Sequence, residues 1–358
     1  MVTGNKGEWS EYYTFLKILV DRRLISADSD LAPIPGQDIP VLKVYRNEIG
    51  NGDTVYSLSD NSDNILISPL SSGEYSVSSV DISTKLATIF SKIACGVRNE
   101  NHGFNISEGE ELMGELGCSY LRGTPSGSKE DISMLVHDPR TGQEPRMSYS
   151  IKSQVGSASS LLNASGATNF IFEVVSENSE LPDIDTLNNL STAKVRVGEL
   201  ISNGFSLRYV DTQNSVFKEN MELIDTNFPE LIATLLLKHY TNDIAELSET
   251  INSFGDRIHL QNSDMGKRAA TYKTKHFLSA VALGLKPSRV WDGNISATGG
   301  YLILKADGEL VCYHIFNMDS FKKYLLKFTK FERGSESRHG YGKFYRDGDG
   351  RILIKLNL

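Results

Sequence analysis

The sequence predicts an α/β fold: a mixed central sheet flanked by helices, with a β-rich insertion and an α+β C-terminal region. Three observations predict it. Residues 7–24 set Tyr12, Phe15, Leu16, Leu19 and Val20 at helical spacing, the mark of an amphipathic helix. "EDISMLVHD" (130–138) and "MSYSIKS" (147–153) alternate in side-chain character across the turn "PRTGQ", as an antiparallel hairpin does. "NFIFEVV" (169–175) supplies a third strand.

Taken in chain order, the first helix is followed over 31–80 by strands, punctuated by turn signals at "GNGD" and "SDNSDN". Helices are expected over 81–95 and 107–116, the second opened by Ser107 as N-cap with acids in its first turn. After the hairpin, a small-residue helix over 157–163 leads through "SGAT" into the third strand. Residues 187–253 read as mostly helical. "GGYLILKADGELVCYHIF" forms a hairpin around Asp307 and Gly308, followed by a helix and a basic tail. The division expected from this is a core of 1–24 with 105–175, a β-rich insertion of 25–104, a mainly helical stretch of 176–260, and an α+β region of 261–358.

Bulk properties narrow the function classes. The 358 residues suffice for two or three structural units, and no run of about 18 apolar residues offers a membrane span. "MVTGNKGEWSEYY" has no apolar signal core, and three scattered cysteines lack metal-ligand spacing, so a reduced, cytoplasmic protein is expected. The histidines show no zinc spacing either. A net charge of −8 opposes non-specific nucleic-acid binding, yet 320–358 carries ten Lys/Arg against four Asp/Glu. A basic end on an acidic chain can grip phosphates locally.

Chemistry concentrates on the hairpin. Ile132, Met134 and Val136 share the apolar face of the first strand, which leaves Asp131 on the other side. Ser150 and Lys152 occupy the polar face of its partner. Antiparallel pairing brings a carboxylate and an ammonium together at one sheet end. Such a pair suits phosphodiester hydrolysis, the carboxylate holding Mg²⁺ and the lysine orienting water and stabilising the transition state. The plain alternative is a cross-strand ion pair on a solvated sheet.

The spacing of Asp131, Ser150 and Lys152 resembles the PD-(D/E)xK nuclease superfamily, with Ser150 standing where an acid is usual. "KGEWSE" resembles the K-G-x-x-x-E opening helix of junction resolvases and some restriction enzymes. That likeness makes Glu11 the replacement metal ligand, with Glu8 one turn earlier as the other candidate; an acidic first helical turn is the plain reading of both. More fully, "GEWSEYYTFLKIL", "KEDISMLVHD", "SYSIKSQVGSASSLLNASGATNF" and "GYLILKADGELVCYHIF" together resemble the HpaII family of type II restriction endonucleases. The likeness implies a Mg²⁺-dependent enzyme, at least dimeric on double-stranded DNA, cutting within CCGG and blocked by cytosine methylation. It also implies a cognate DNA methyltransferase as functional partner.

Further candidates follow with their alternatives. Gln154 either touches the scissile phosphate or caps the next helix. Asn163, Ser165 and Asn169 suit DNA contacts or turn chemistry. Lys267, Arg268 and Lys273 form a phosphate-facing helix or a solvated face, and Arg338 and His339 lie in a Gly/Ser-rich basic loop suited to DNA. Two rival functions remain on sequence grounds: a junction-resolving or repair nuclease, and a non-catalytic DNA-binding protein with a decayed site.

Overall fold

The computed structural model describes residues 1–47, 52–59, 61–70, 73–96, 103–124, 129–155, 162, 165–176, 181–253 and 263–358. The chain opens with α1 (Lys6–Asp21), β1 (Arg23–Ala27), β2 (Pro33–Asn47), β3 (Asp53–Ser57), β4 (Asn64–Ser68), β5 (Tyr75–Ser78), α2 (Ser79–Cys95) and α3 (Ser107–Glu115). The hairpin β6 (Ile132–Val136) and β7 (Arg146–Ser153) follows, then β8 (Asn169–Val175), α4 (Ile184–Asn188), α5 (Ala193–Ser202) and β9 (Ser206–Thr212). Next come α6 (Ser215–Glu222), α7 (Phe228–Asn242), α8 (Leu247–Asn252) and α9 (Ser263–Leu283). The last elements are β10 (Gly300–Leu304), β11 (Leu310–His314), α10 (Met318–Phe328), α11 (Glu336–His339), β12 (Phe344–Arg346) and β13 (Ile352–Asn357). They fall into two compact units: Met1–Ser159 with Ile295–Phe321, and Ser160–Asn294 with Lys322–Leu358.

The first unit is built on a mixed sheet in the order β1-β11-β10-β7-β6-β2-β3-β4-β5. β7 pairs β10 in parallel and β6 antiparallel, so the expected hairpin sits in the middle of the sheet. β2 is long enough to serve two partners: its first half pairs β1, and its second half pairs β6 and β3. The expected hairpin at Asp307 is β10–β11. The strand 169–175 is present, but it pairs in the other sheet, and β10 takes the place beside β7.

α1 forms where expected because Trp9, Tyr12, Phe15, Leu16, Ile18 and Leu19 are all at most 1% exposed. Burial of each such side chain stabilises by about 1.5–3 kcal/mol, which fixes the helix against the sheet and α2. Its start is a capping box: Asn5 accepts from the Glu8 N–H, and the Glu8 carboxylate accepts from the Asn5 N–H. It ends earlier than its periodicity suggests, because Arg22 turns left-handed (φ 57°) and β1 begins at Arg23. α3 also departs from expectation. Ile106 is its N-cap residue and makes no side-chain cap bond, while Ser107 is already helical.

The second unit carries an antiparallel sheet in the order β12-β13-β8-β9. Phe170 and Phe172 of β8 are at most 1% exposed and pack with Tyr209 and, for Phe170, Phe217. Among the described residues no helix is long and apolar enough to cross a membrane.

Candidate active site

Asp131 lies one residue before β6, and its N–H donates to the Tyr149 carbonyl at 2.9 Å. Its Oδ2 accepts from the Ile151 N–H at 2.7 Å and from the Ser150 hydroxyl at 3.1 Å. Lys152 follows two residues after Ser150, on the same side of β7. α1 delivers Glu11 to the same place. The preceding residue, Ser10, is buried and donates to the Ser153 hydroxyl at 3.1 Å, tying the helix to the end of β7.

The electrostatics place these groups within charge–charge range of one another. Glu11 is pushed up to about 7, first by burial and next by the Asp131 carboxylate, while Arg122 and Lys152 pull it down. Asp131 is also raised by burial, against the opposing pull of the Ile151 N–H, Lys152 and the Ser150 hydroxyl. Held by two donors, Asp131 ionises first, and the cost of a second negative charge falls on Glu11. Among the described residues neither the Glu11 carboxylate nor the Lys152 ammonium makes a hydrogen bond or ion pair. The cross-strand ion pair between Asp131 and Lys152 is therefore not formed. Two half-buried carboxylates and an unpaired ammonium share one polar place instead.

Glu8 is occupied elsewhere. Its Oε2 accepts from the Asn5 N–H at 2.9 Å and its Oε1 lies 3.3 Å from Arg122 Nε, so it serves the helix start. Ser150 is buried and spends its hydroxyl on Asp131. The Gln154 N–H donates to the Leu304 carbonyl at 2.8 Å, which extends the β7–β10 pairing, and its half-buried side chain makes no hydrogen bond among the described residues. No three His, Cys, Asp or Glu side chains among the described residues cluster as a metal site, so the acidic donors here are Asp131 and Glu11.

The expected DNA contacts are placed differently. Asn163 and, apart from Leu162, the helix expected over 157–163 lie outside the described residues. Asn169 is 0% exposed, its amide donating to the Gln213 side chain and the His339 carbonyl while its Oδ1 accepts from Asn357. That network engages both amide protons and Oδ1 inside the fold. The Ser165 hydroxyl accepts from the Ala167 N–H at 3.3 Å, which is turn chemistry. Lys267 is half-buried and Arg268 exposed on α9, whereas Lys273 is paired with Asp225 at 2.8 Å. Arg338 is exposed and His339 half-buried on α11, whose start is capped by Ser335. Sequence reasoning missed Arg122. It stands in the loop "SYLRGT", where no periodicity or motif announces it.

A family model described as the HpaII restriction endonuclease matches residues 5–358. The chain is 38% identical over 359 residues to the type II restriction enzyme HpaII of Haemophilus parainfluenzae, covering 99% of this chain and 97% of that one. No solved structure matches it. These likenesses define the class as a type II site-specific deoxyribonuclease, which acts on double-stranded DNA. Within that class, the chain belongs to the HpaII restriction endonuclease family. Enzymes of this kind generally need a divalent metal ion.

Proposed function

We propose that the protein cuts DNA at a PD-(D/E)xK-type site in which Asp131 and Glu11 hold Mg²⁺ and Lys152 assists the attack. The observation that carries this reading is the meeting of two half-buried carboxylates with a lysine that makes no ion pair or hydrogen bond among the described residues. The donor set fits the ion. Both ligands are hard oxygens, and Mg²⁺ is commonly held by one or two carboxylates with water and phosphate completing its shell. Glu11 keeps its proton to about pH 7, first because burial penalises its charge and next because the Asp131 carboxylate stands near, and a cation favours the ionised form of both. When bound, the ion neutralises phosphate charge and lowers the pKa of a water.

The chain's own groups then have distinct work. Lys152 donates to a phosphate oxygen and orients the attacking water with its remaining protons. Ser150 and the Ile151 N–H fix Asp131 through Oδ2, leaving Oδ1 without a hydrogen bond among the described residues. Glu11 takes the ligand place that Ser150 does not fill with an acid, and Gln154 offers its amide to the scissile phosphate. By family resemblance the target is CCGG, cytosine methylation blocks cutting, the enzyme dimerises on its palindrome, and a cognate methyltransferase protects the cell's own DNA in the cytoplasm.

Plasmid digestion with Mg²⁺ tests the assignment. A discrete fragment pattern with CCGG at the mapped ends is expected, and it is lost with Asp131→Ala or Lys152→Ala. Full cleavage by both variants would sink the residue assignment; cut ends at another sequence would overturn only the specificity.

A further inference from the structure

A groove lined by Glu8 of α1 and by residues 119–122 has one wall that buried side chains hold in place. Arg46, on β2, is only 2% exposed, and its guanidinium lies 4.6 Å from the centroid of the Phe15 ring of α1. Its Nη2 donates to three successive carbonyls, those of Tyr120 at 2.7 Å, Leu121 at 3.3 Å and Arg122 at 3.1 Å. The next β2 residue, Asn47, donates its N–H to the Gly123 carbonyl at 2.9 Å. A Cβ at Gly123 would stand 3.3 Å from Arg46 Nη1, so glycine permits this close approach. The Thr124 hydroxyl then donates to the Glu130 carbonyl at 2.8 Å, one residue before Asp131. Burying a guanidinium is costly unless its donors are satisfied. Here Nη2 is spent on holding residues 120–122 in one place.

What that loop presents is Arg122. Its side chain is 45% exposed, and its Nε sits 3.3 Å from Glu8 Oε1, a carboxylate already engaged in the α1 capping box. Among the described residues no hydrogen bond engages its guanidinium. It stands at a groove of about 190 Å³ whose other polar walls include Thr3, Glu8, Asn47 and Thr124. It is also close enough to Glu11 to oppose that group's retention of its proton. An exposed surface arginine held only by solvent would have neither a pinned backbone nor a groove.

We propose that Arg122 is a DNA-backbone contact of this enzyme, gripping a phosphodiester next to the one that is cut and holding the strand over Asp131 and Glu11. The inference rests on the reading of those carboxylates as the cutting site. A planar fork with free donors matches two phosphate oxygens at once, which a lysine ammonium does not. It also supplies positive charge where two carboxylates otherwise repel the strand. Arg46 acts through Arg122 and is a positioning residue.

The test uses a duplex that the wild-type enzyme cuts, with single phosphates flanking the scissile bond replaced one at a time by uncharged methylphosphonates. Single-turnover kcat/KM is measured for wild type, Arg122→Ala and Arg122→Lys. Neutralising one adjacent phosphate should slow the wild type roughly tenfold or more, the loss of one charge-assisted contact. Arg122→Ala should lose a similar factor on the unmodified duplex and nothing further at that phosphate, while Arg122→Lys retains part of the sensitivity. Wild-type rates in Arg122→Ala would overturn the inference. So would an unchanged loss at every neutralised phosphate, because an arginine that only supports the fold leaves phosphate sensitivity intact. A wild-type enzyme that cuts normally while Asp131→Ala also cuts counts against the carboxylate site instead.

Discussion

Glu11 sits at an unusual balance of forces that ties stability to pH. Its carboxyl titrates at about 7 in the folded protein, above the ordinary 4.5. As pH rises the unfolded chain therefore gives up this proton first. Its contribution to stability is full below about pH 4.5 and is lost as pH climbs through 7. In the absence of divalent ions, Glu11→Gln should accordingly stabilise the enzyme by about 1–3 kcal/mol at pH 8 relative to its effect at pH 4.5. Urea denaturation in EDTA at the two pH values measures the difference, and a pH-independent gap would contradict the charge-crowding account. The residues that supply this balance were unequally legible. Asp131 and Lys152 follow from strand parity, because alternation tells which side chains share a face. Glu11 came from a likeness to other opening helices. Arg122 was invisible because a loop residue's neighbours are chosen by tertiary folding. The burial of Asn169 was not legible, because a polar residue beside a turn looks the same in sequence whether it meets solvent or a buried network.

At the scale of elements, the close approach of α3 to α1 gives a sharp expectation. A Cβ on Gly109 would fall 2.5 Å from Trp9 Cζ3, and Trp9 in turn donates its indole N–H to the Phe104 carbonyl at 2.8 Å. Alanine ordinarily improves a helix interior over glycine by roughly 0.5–1 kcal/mol. Here Gly109→Ala should instead destabilise by about 1–3 kcal/mol, since Trp9 has no room to retreat. Thermal melting decides the sign. Elements with local signals were legible: the amphipathic α1, and the β6–β7 and β10–β11 hairpins with their short turns. Long-range pairings were not. Nothing in "GYLIL" says that it will lie parallel to "YSIKS", because parallel partners are joined through distant chain and share no turn. The double duty of β2 was hidden for the same reason, since a run of strand residues does not announce where it changes partner.

For the molecule as a whole, pH acts through opposed groups. His314, nearly buried against the Phe316 and Tyr149 rings, is pushed down to about 4 by burial. The unfolded histidine takes up its proton near 6.5, so this contribution is present above pH 6.5 and is lost as pH falls toward 4. Between about 4.5 and 6.5 the slopes from Glu11 and His314 have opposite signs and offset each other. Relative to the wild type, Glu11→Gln should make metal-free stability rise more steeply with pH across that window, and His314→Gln should make it fall. Parallel slopes for all three proteins would contradict both assignments. Composition could not foretell this, because a histidine's titration depends on burial that only the finished fold provides.

The role proposed for Glu11 is to complete the acidic site that Ser150 leaves short. Single-turnover cleavage of DNA by Glu11→Gln, with Mg²⁺ at saturation for the wild type, tests it most directly. A loss of about a thousandfold or more is expected in a protein that folds at least as stably as the wild type at pH 8. Cleavage by Glu11→Gln at the wild-type rate would contradict it.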